Sequence, residues 1–129
     1  RDSGEFDRLF GPQASAESRL LRAIEVSARY KIIIVLKGYR TATVRPDGKI
    51  FFNSSGGPAM ATGGSGDVLT GVITSLLAQG YKPETAAVAG VYIHGLAGDI
   101  AAAEQGVYGT TAVDIADCVG KAIMKILNY

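Results

Sequence analysis

A run of five residues, Gly63-Gly64-Ser65-Gly66-Asp67, places backbone amides, a hydroxyl and a carboxylate next to one another. Apolar residues with helical spacing follow from Val68 to Leu77, and Gly80 provides a stop signal. The run therefore opens a helix, where the first N–H groups lack partners and the helix dipole favours an anion. Because glycine lets a phosphate approach the backbone closely, we predict an anion hole here. Its residues are Gly63, Gly64, Ser65 and Gly66.

Asp67 is the unexpected member of this run, because a carboxylate repels the phosphate that the amides would bind. A carboxylate beside a phosphoryl group is useful when it accepts the proton of an attacking hydroxyl. We therefore predict that Asp67 is a catalytic base. The alternative is that it caps or lines the first helical turn, where acidic residues are common. A short glycine run does not decide between the two.

An apolar, β-branched segment from Ile32 to Leu36 predicts a buried strand of the parallel type. Lys37 and Gly38 follow at its carboxyl end, which is where open α/β sheets bind ligands. Lys37 is therefore a site candidate, and the alternative is a solvated lysine at a strand end.

Helical periodicity, capping residues and turn residues predict the other elements. We expect helices at 16–29, 67–79, 83–104 and 111–127, a hairpin over 41–52 and a loop at 1–11. Together they predict a single α/β domain spanning residues 1–129, with Cys118 in its core.

The helix predicted at 83–104 contains residues that need a structural reason. Gly90, Gly95 and Gly98 each cost stability inside a helix, so we expect close packing against them. His94 is predicted to be a packing residue with satisfied polar atoms rather than a ligand. The role of Asp99 is left open by the sequence.

The composition limits the kinds of partner. Hydrophobic residues make up 47% of the chain and charged residues 19%, and the formal net charge is +1. No apolar run is long enough for a membrane span, and no basic cluster suited to nucleic acid is present. One cysteine and one histidine exclude an internal disulfide and argue against a zinc site. We expect a cytoplasmic protein without membrane or nucleic-acid partners.

Two segments resemble the signatures of a known family. Residues 57–71, which end in Gly-Gly-Ser-Gly-Asp-Val-Leu-Thr-Gly, and residues 91–99, Val-Tyr-Ile-His-Gly-Leu-Ala-Gly-Asp, are similar to those of the ribokinase-like NAD(P)H-hydrate dehydratases. The resemblance implies an α/β fold that is the carboxyl-terminal portion of a three-layer α/β/α domain. It also implies a lyase that uses ADP or ATP, with Mg²⁺, to return hydrated NADH or NADPH to the usable cofactor. The implied route is phosphorylation of the hydrate's hydroxyl followed by loss of phosphate.

The resemblance also assigns residues. Asp67 corresponds to a residue that contacts the hydrated cofactor and is the expected base, and Glu5 matches a glutamate that organises Mg²⁺ through water. Asp2 stands where the family has a substrate-contacting histidine. The nucleotide-binding positions implied are Lys37, Gly38, Tyr39, Arg40, Thr41 and Gly66.

Two other functions stay open at this point. The same glycine run would serve a ribokinase-group kinase acting on a sugar or vitamin alcohol. Since the family's domain is longer than this chain, we expect the chain to be its carboxyl-terminal half. The third interpretation is therefore a half-domain that binds a nucleotide without catalysing a reaction. An exposed sheet edge in such a half favours pairing with another chain, so we expect a homo-oligomer.

Overall fold

The computed structural model describes residues 2–38 and 40–128, and for residues 2–5 it describes the backbone alone. The chain divides into two compact units, Arg1–Asn53 and Ser54–Tyr129. Each unit has its own helices and its own hydrophobic core. That the chain acts as one domain stays a prediction.

The first unit contains two helices and a three-stranded sheet. Its elements are α1 (Asp2–Phe10), α2 (Ala16–Tyr30), β1 (Ile34–Leu36), β2 (Ala42–Val44) and β3 (Ile50–Phe52). The strands lie in the order β1-β2-β3 and both pairings are antiparallel, with Thr43 opposite Val35 on one side and Phe51 on the other. The hairpin prediction is confirmed by β2 and β3. The start of α2 agrees with its sequence signal, because Ser15 and Ser18 cap it reciprocally.

Helix α1 contradicts the prediction of a loop over residues 1–11. The ring of Phe6 lies 5.0 Å from that of Phe10, one turn further along, and Phe6 is buried in the core of this unit. Arg19 of α2 donates two hydrogen bonds of 3.1 Å to the Asp7 carboxylate, and this lowers the pKa of Asp7. A helix this short depends on such tertiary contacts, and these have no capping signal in the sequence.

The strand predicted for Ile32 to Leu36 is confirmed over Ile34–Leu36, which form β1, but its parallel pairing is not. The strand is half-buried and continues into β2 as an antiparallel meander, so the prediction of a buried parallel strand is wrong. It also begins later than predicted. Lys31 ends α2 in the left-handed region at φ 55°, and the Ser27 hydroxyl donates to the Ile32 carbonyl at 2.6 Å, so these residues form the turn.

The second unit is helical in the part of the chain that the structure describes. After a 3₁₀ turn at Pro58–Ala61, its elements are α3 (Ser65–Ala78), α4 (Pro83–Gln105), α5 (Ala112–Asp117) and α6 (Val119–Ile126). The helices predicted at 67–79 and 83–104 are confirmed, whereas the one predicted at 111–127 is divided at Cys118. As predicted, Cys118 lies in the core, where it packs with Ile93 and Ile115.

The glycines of α4 are sites of close packing, as predicted. A Cβ atom at Gly90 would lie 2.6 Å from Cγ1 of Ile73 in α3. One at Gly95 would overlap Ser55, and one at Gly98 would overlap Sδ of Met60. By length and composition α4 could cross a membrane, but 56% of its most apolar window is buried inside the structure, as in a core helix.

Candidate functional site

The candidate anion hole lies where the chain turns into α3. Gly64 is the N-cap and adopts φ 88° and ψ −8°, a left-handed conformation that glycine reaches without strain. Its carbonyl accepts hydrogen bonds from the amides of Asp67 and Val68 at 3.1 and 3.2 Å, which close the first turn. A side chain at this position would be strained and would also place its Cβ 3.1 Å from that of Ala112. The helix start predicted from the glycine run is therefore confirmed, two residues earlier than residue 67.

The amides of this turn point to anion binding. Among the hydrogen bonds of the described residues, none is donated by the amides of Gly63, Gly64 or Gly66. The amide of Ser65 differs, since it donates to the Thr62 carbonyl at 3.3 Å. Three unpaired donors next to the positive end of a helix dipole suit a phosphate or another anion.

The side chain of Ser65 faces α4 instead of solvent. Its hydroxyl lies 3.2 Å from Nε2 of His94, and the two residues are 2% and 4% exposed. The prediction that His94 is a packing residue with satisfied polar atoms agrees with this contact. The donors that this turn presents at the surface are accordingly its glycine amides.

Asp67 is the third residue of α3 and its side chain is exposed. The N-cap of α3 is Gly64, and no side chain makes a capping hydrogen bond there. Within the described residues the Asp67 carboxylate accepts no hydrogen bond, so nothing there supports a capping role. The other half of the alternative agrees with the structure, because Asp67 lies in the first turn of α3. The carboxylate is available to a ligand beside the glycine amides, and its role as a base stays a prediction.

The segment that leads into this turn is hydrogen-bonded to α4 through Ser55 and Gly56. The Ser55 hydroxyl donates to the Tyr92 carbonyl at 2.9 Å, and the Gly56 amide donates to Oδ2 of Asp99 at 3.0 Å. The role of Asp99 that the sequence left open is thus to accept this amide. Gly95 faces Ser55 directly, which explains why a side chain is absent there. Sequence reasoning missed these contacts, although the signature at 91–99 contains both Tyr92 and Asp99.

The predicted nucleotide-binding segment, residues 37–41, belongs to the first unit. Lys37 directly follows β1 and is half-buried, and Gly38 and Arg40 are exposed. The carbonyl of Thr41 accepts a hydrogen bond from the Asn53 amide at 2.9 Å. Tyr39 lies outside the described residues. Since Gly66 belongs to the second unit, a site shared by this segment and Gly66 stays a prediction.

The predicted metal position, Glu5, lies in α1, and its side chain is outside the described part of the structure. Among the described residues, no group of three histidine, cysteine or acidic side chains could hold a metal ion. These residues therefore do not form a protein cage for Mg²⁺, and the assignment of Glu5 stays a prediction.

Comparison with known proteins identifies the family. A family model for NAD(P)H-hydrate dehydratase matches residues 2–121. The bifunctional NAD(P)H-hydrate repair enzyme Nnr of Moorella thermoacetica is 46% identical over 116 residues, which is 88% of this chain and 22% of that protein. The ADP-dependent (S)-NAD(P)H-hydrate dehydratase of Cenarchaeum symbiosum is 38% identical over 125 residues, 95% of this chain and 42% of that protein. The chain thus spans less than half the length of these relatives.

Solved structures agree with this result. The ADP/ATP-dependent NAD(P)H-hydrate dehydratase of Bacillus subtilis, co-crystallised with ATP and Mg²⁺, superposes with a TM-score of 0.87 at 32% identity, over 95% of this chain and 45% of that one. A ribokinase-like superfamily protein of Enterococcus faecalis superposes with a TM-score of 0.76 at 34% identity, over 95% of this chain and 42% of that one. The predicted ribokinase-like α/β fold is confirmed, and the chain belongs to the NAD(P)H-hydrate dehydratase family.

Proposed function

We propose that this chain contributes the phosphoryl-transfer site of an ADP- or ATP-dependent NAD(P)H-hydrate dehydratase, a lyase that repairs hydrated NADH and NADPH. The observation that carries the proposal is the N-terminus of α3. There the amides of Gly63, Gly64 and Gly66, which donate no hydrogen bond within the described part of the chain, adjoin the exposed carboxylate of Asp67. The family to which the chain belongs supports the choice of substrate.

Asp67 acts as the base in this proposal. Its carboxylate accepts the proton of the hydrate's hydroxyl while the hydroxyl oxygen forms a bond to the terminal phosphorus of the nucleotide. The bond from that phosphorus to the leaving AMP or ADP breaks, and the glycine amides stabilise the charge on the phosphoryl oxygens. The C–O bond to the phosphate then breaks, and a proton leaves the neighbouring ring carbon to solvent as the C=C bond forms, which restores NADH or NADPH.

The nucleotide is proposed to lie along Lys37, Gly38, Tyr39, Arg40 and Thr41 and to reach Gly66. Mg²⁺ prefers nucleotide phosphates and water to a protein cage, and this agrees with the lack of a ligand cluster among the described residues. Glu5 is proposed to act on the ion only through water. We also propose that the protein works in the cytoplasm as a homo-oligomer.

A second candidate function is nucleotide binding without turnover. It applies to the 129 residues taken by themselves, which match 22% and 42% of the two relatives described above. Substrate contacts in the rest of those proteins would then be needed for dehydration. The ribokinase-group kinase remains a third candidate that shares the glycine run.

One experiment separates the three candidates. Purified chain is incubated with Mg²⁺, either ADP or ATP, and either hydrated NADH or a panel of sugar and vitamin alcohols. Recovery of NADH absorbance together with release of phosphate supports the dehydratase. A phosphorylated alcohol without NADH recovery contradicts it in favour of the kinase. Calorimetric binding of ADP without any product supports the silent nucleotide-binding domain.

A further inference from the structure

Residues 56–67 form the segment that carries the candidate site. Two polar residues of α4 contact this segment, one near each end. At its beginning, Oδ2 of Asp99 accepts the Gly56 amide at 3.0 Å. At its end, Nε2 of His94 lies 3.2 Å from the Ser65 hydroxyl. Both contacts join residues far apart in sequence, and both involve α4, which packs against α3.

The shape of α4 between these contacts fits the segment. Gly95 and Gly98 lack the Cβ atoms that would overlap Ser55 and Met60, so the backbone of the segment can lie directly on the helix. Ser55 also donates to a carbonyl of α4, that of Tyr92, at 2.9 Å. The surface of α4 from residue 92 to residue 99 is therefore complementary to the segment both in shape and in hydrogen bonding.

The contact at His94 is buried, which sets it apart from surface hydrogen bonds. His94 and Ser65 are 4% and 2% exposed. An apolar residue in place of His94 would therefore leave the Ser65 hydroxyl buried without this hydrogen-bond partner, at a cost in free energy. Ser65 is the first residue of α3, between glycines whose amides donate no hydrogen bond among the residues that the structure describes. Displacement of its side chain would rotate the first turn and thereby redirect those amides and Asp67.

We propose that His94 and Asp99 are positioning residues, which fix the conformation of residues 56–67 and so aim the glycine amides and the Asp67 carboxylate at the ligand. Neither residue needs to touch the ligand in this role. This positioning role explains the signature at 91–99. The polar and glycine residues of the signature form the surface of α4 against which the segment packs. The link to catalysis rests on the proposed function, whereas the positioning itself can be measured without a ligand.

The test uses amide hydrogen exchange of the whole chain, followed residue by residue by NMR, with no ligand present. His94→Leu removes the contact with Ser65 and is expected to speed exchange at the Asp67 and Val68 amides, which close the first turn of α3, by about 5- to 10-fold, as for one lost hydrogen bond. His94→Gln can still reach Ser65 and is expected to restore slow exchange. If His94→Leu does not fold, Ser65→Ala removes the same contact from the other side.

Asp99 provides the matched comparison at the other end of the segment. Asp99→Ala is expected to speed exchange of the Met60 amide, which donates to the Gly57 carbonyl at 3.0 Å, and Asp99→Asn is expected to restore it. Each alanine or leucine variant should leave the far end of the segment less affected than its own end. Unchanged exchange at these amides in both variants would overturn the proposal.

ADP titration of the same variants connects positioning to the site. If the wild-type chain binds ADP, His94→Leu should weaken binding about 10-fold and His94→Gln should restore it. If the wild-type chain does not bind ADP, the proposed nucleotide site fails, and the exchange data alone still decide whether His94 and Asp99 position the segment.

Discussion

Replacing Asp67 by asparagine removes a charge and a proton acceptor from the candidate site while keeping the shape of the side chain. The structure predicts that folding is little affected, because this carboxylate is exposed and accepts no hydrogen bond within the described residues. Among the described residues, the interaction lost is that of a negative charge with the helix N-terminus, about 0.3–1 kcal/mol. The free energy of unfolding of the variant is therefore expected to lie within about 1 kcal/mol of that of the wild type.

Binding and turnover should respond in opposite directions. Removal of a negative charge several ångströms from a phosphate at an exposed site is worth roughly 1 kcal/mol, so ADP should bind up to about fivefold more tightly. Turnover should fall by about 10²- to 10⁴-fold, which is typical of a lost general base. Calorimetry gives the first quantity and NADH recovery the second.

Asp117→Asn is a suitable control, because Asp117 is also an exposed aspartate of the second unit and lies at the end of α5. It makes the same change in net charge outside the glycine run and should leave turnover unchanged. If the 129-residue chain does not turn over, the pair of variants is made at the matching positions of a full-length relative. Near-normal turnover of the Asp67 variant would refute its role as the base.

Three further predictions follow from the geometry. Gly38→Trp should weaken ADP binding at least about 10-fold with little change in stability, since the nearest atom to a Cβ there is 4.0 Å away; unchanged calorimetric affinity would remove this position from the site. Gly95→Ala should lower the free energy of unfolding in urea by about 1–3 kcal/mol, because the added Cβ meets backbone atoms. Gly120→Ala, with open space around it, should be neutral or stabilising by up to about 1 kcal/mol, and equal losses for both alanine variants would contradict the packing explanation. The hydrogen bond from Arg19 lowers the pKa of Asp7, so the stabilisation by this pair is complete above the unfolded pKa and is lost as pH falls through the folded one. Asp7→Asn should therefore flatten the pH dependence of the free energy of unfolding on the acid side of the ordinary aspartate pKa, and an unaltered pH profile would argue against the pair.

The sequence determined the features that depend on local chemistry. Glycines followed by an apolar helical pattern indicate the N-terminus of α3, and the left-handed Gly64 shows why one of them is required. Pro83 begins α4 and Gly106 follows its end, and each acts through its own backbone. Proline has a fixed φ angle and no N–H donor, and Gly106 adopts a positive φ angle. The family signatures extend this local information, because they also consist of contiguous residues.

The tertiary structure decided the features that depend on residues distant in the chain. The sequence did not reveal that Phe6 and Phe10 stabilise a helix, nor that β1 pairs antiparallel with β2, since both depend on which surfaces meet. The same holds for the contacts of Ser65 with His94 and of Gly56 with Asp99, which join residues 29 and 43 positions apart. A hydrogen bond needs two groups within about 3 Å of each other, and only the folded chain brings such distant groups together.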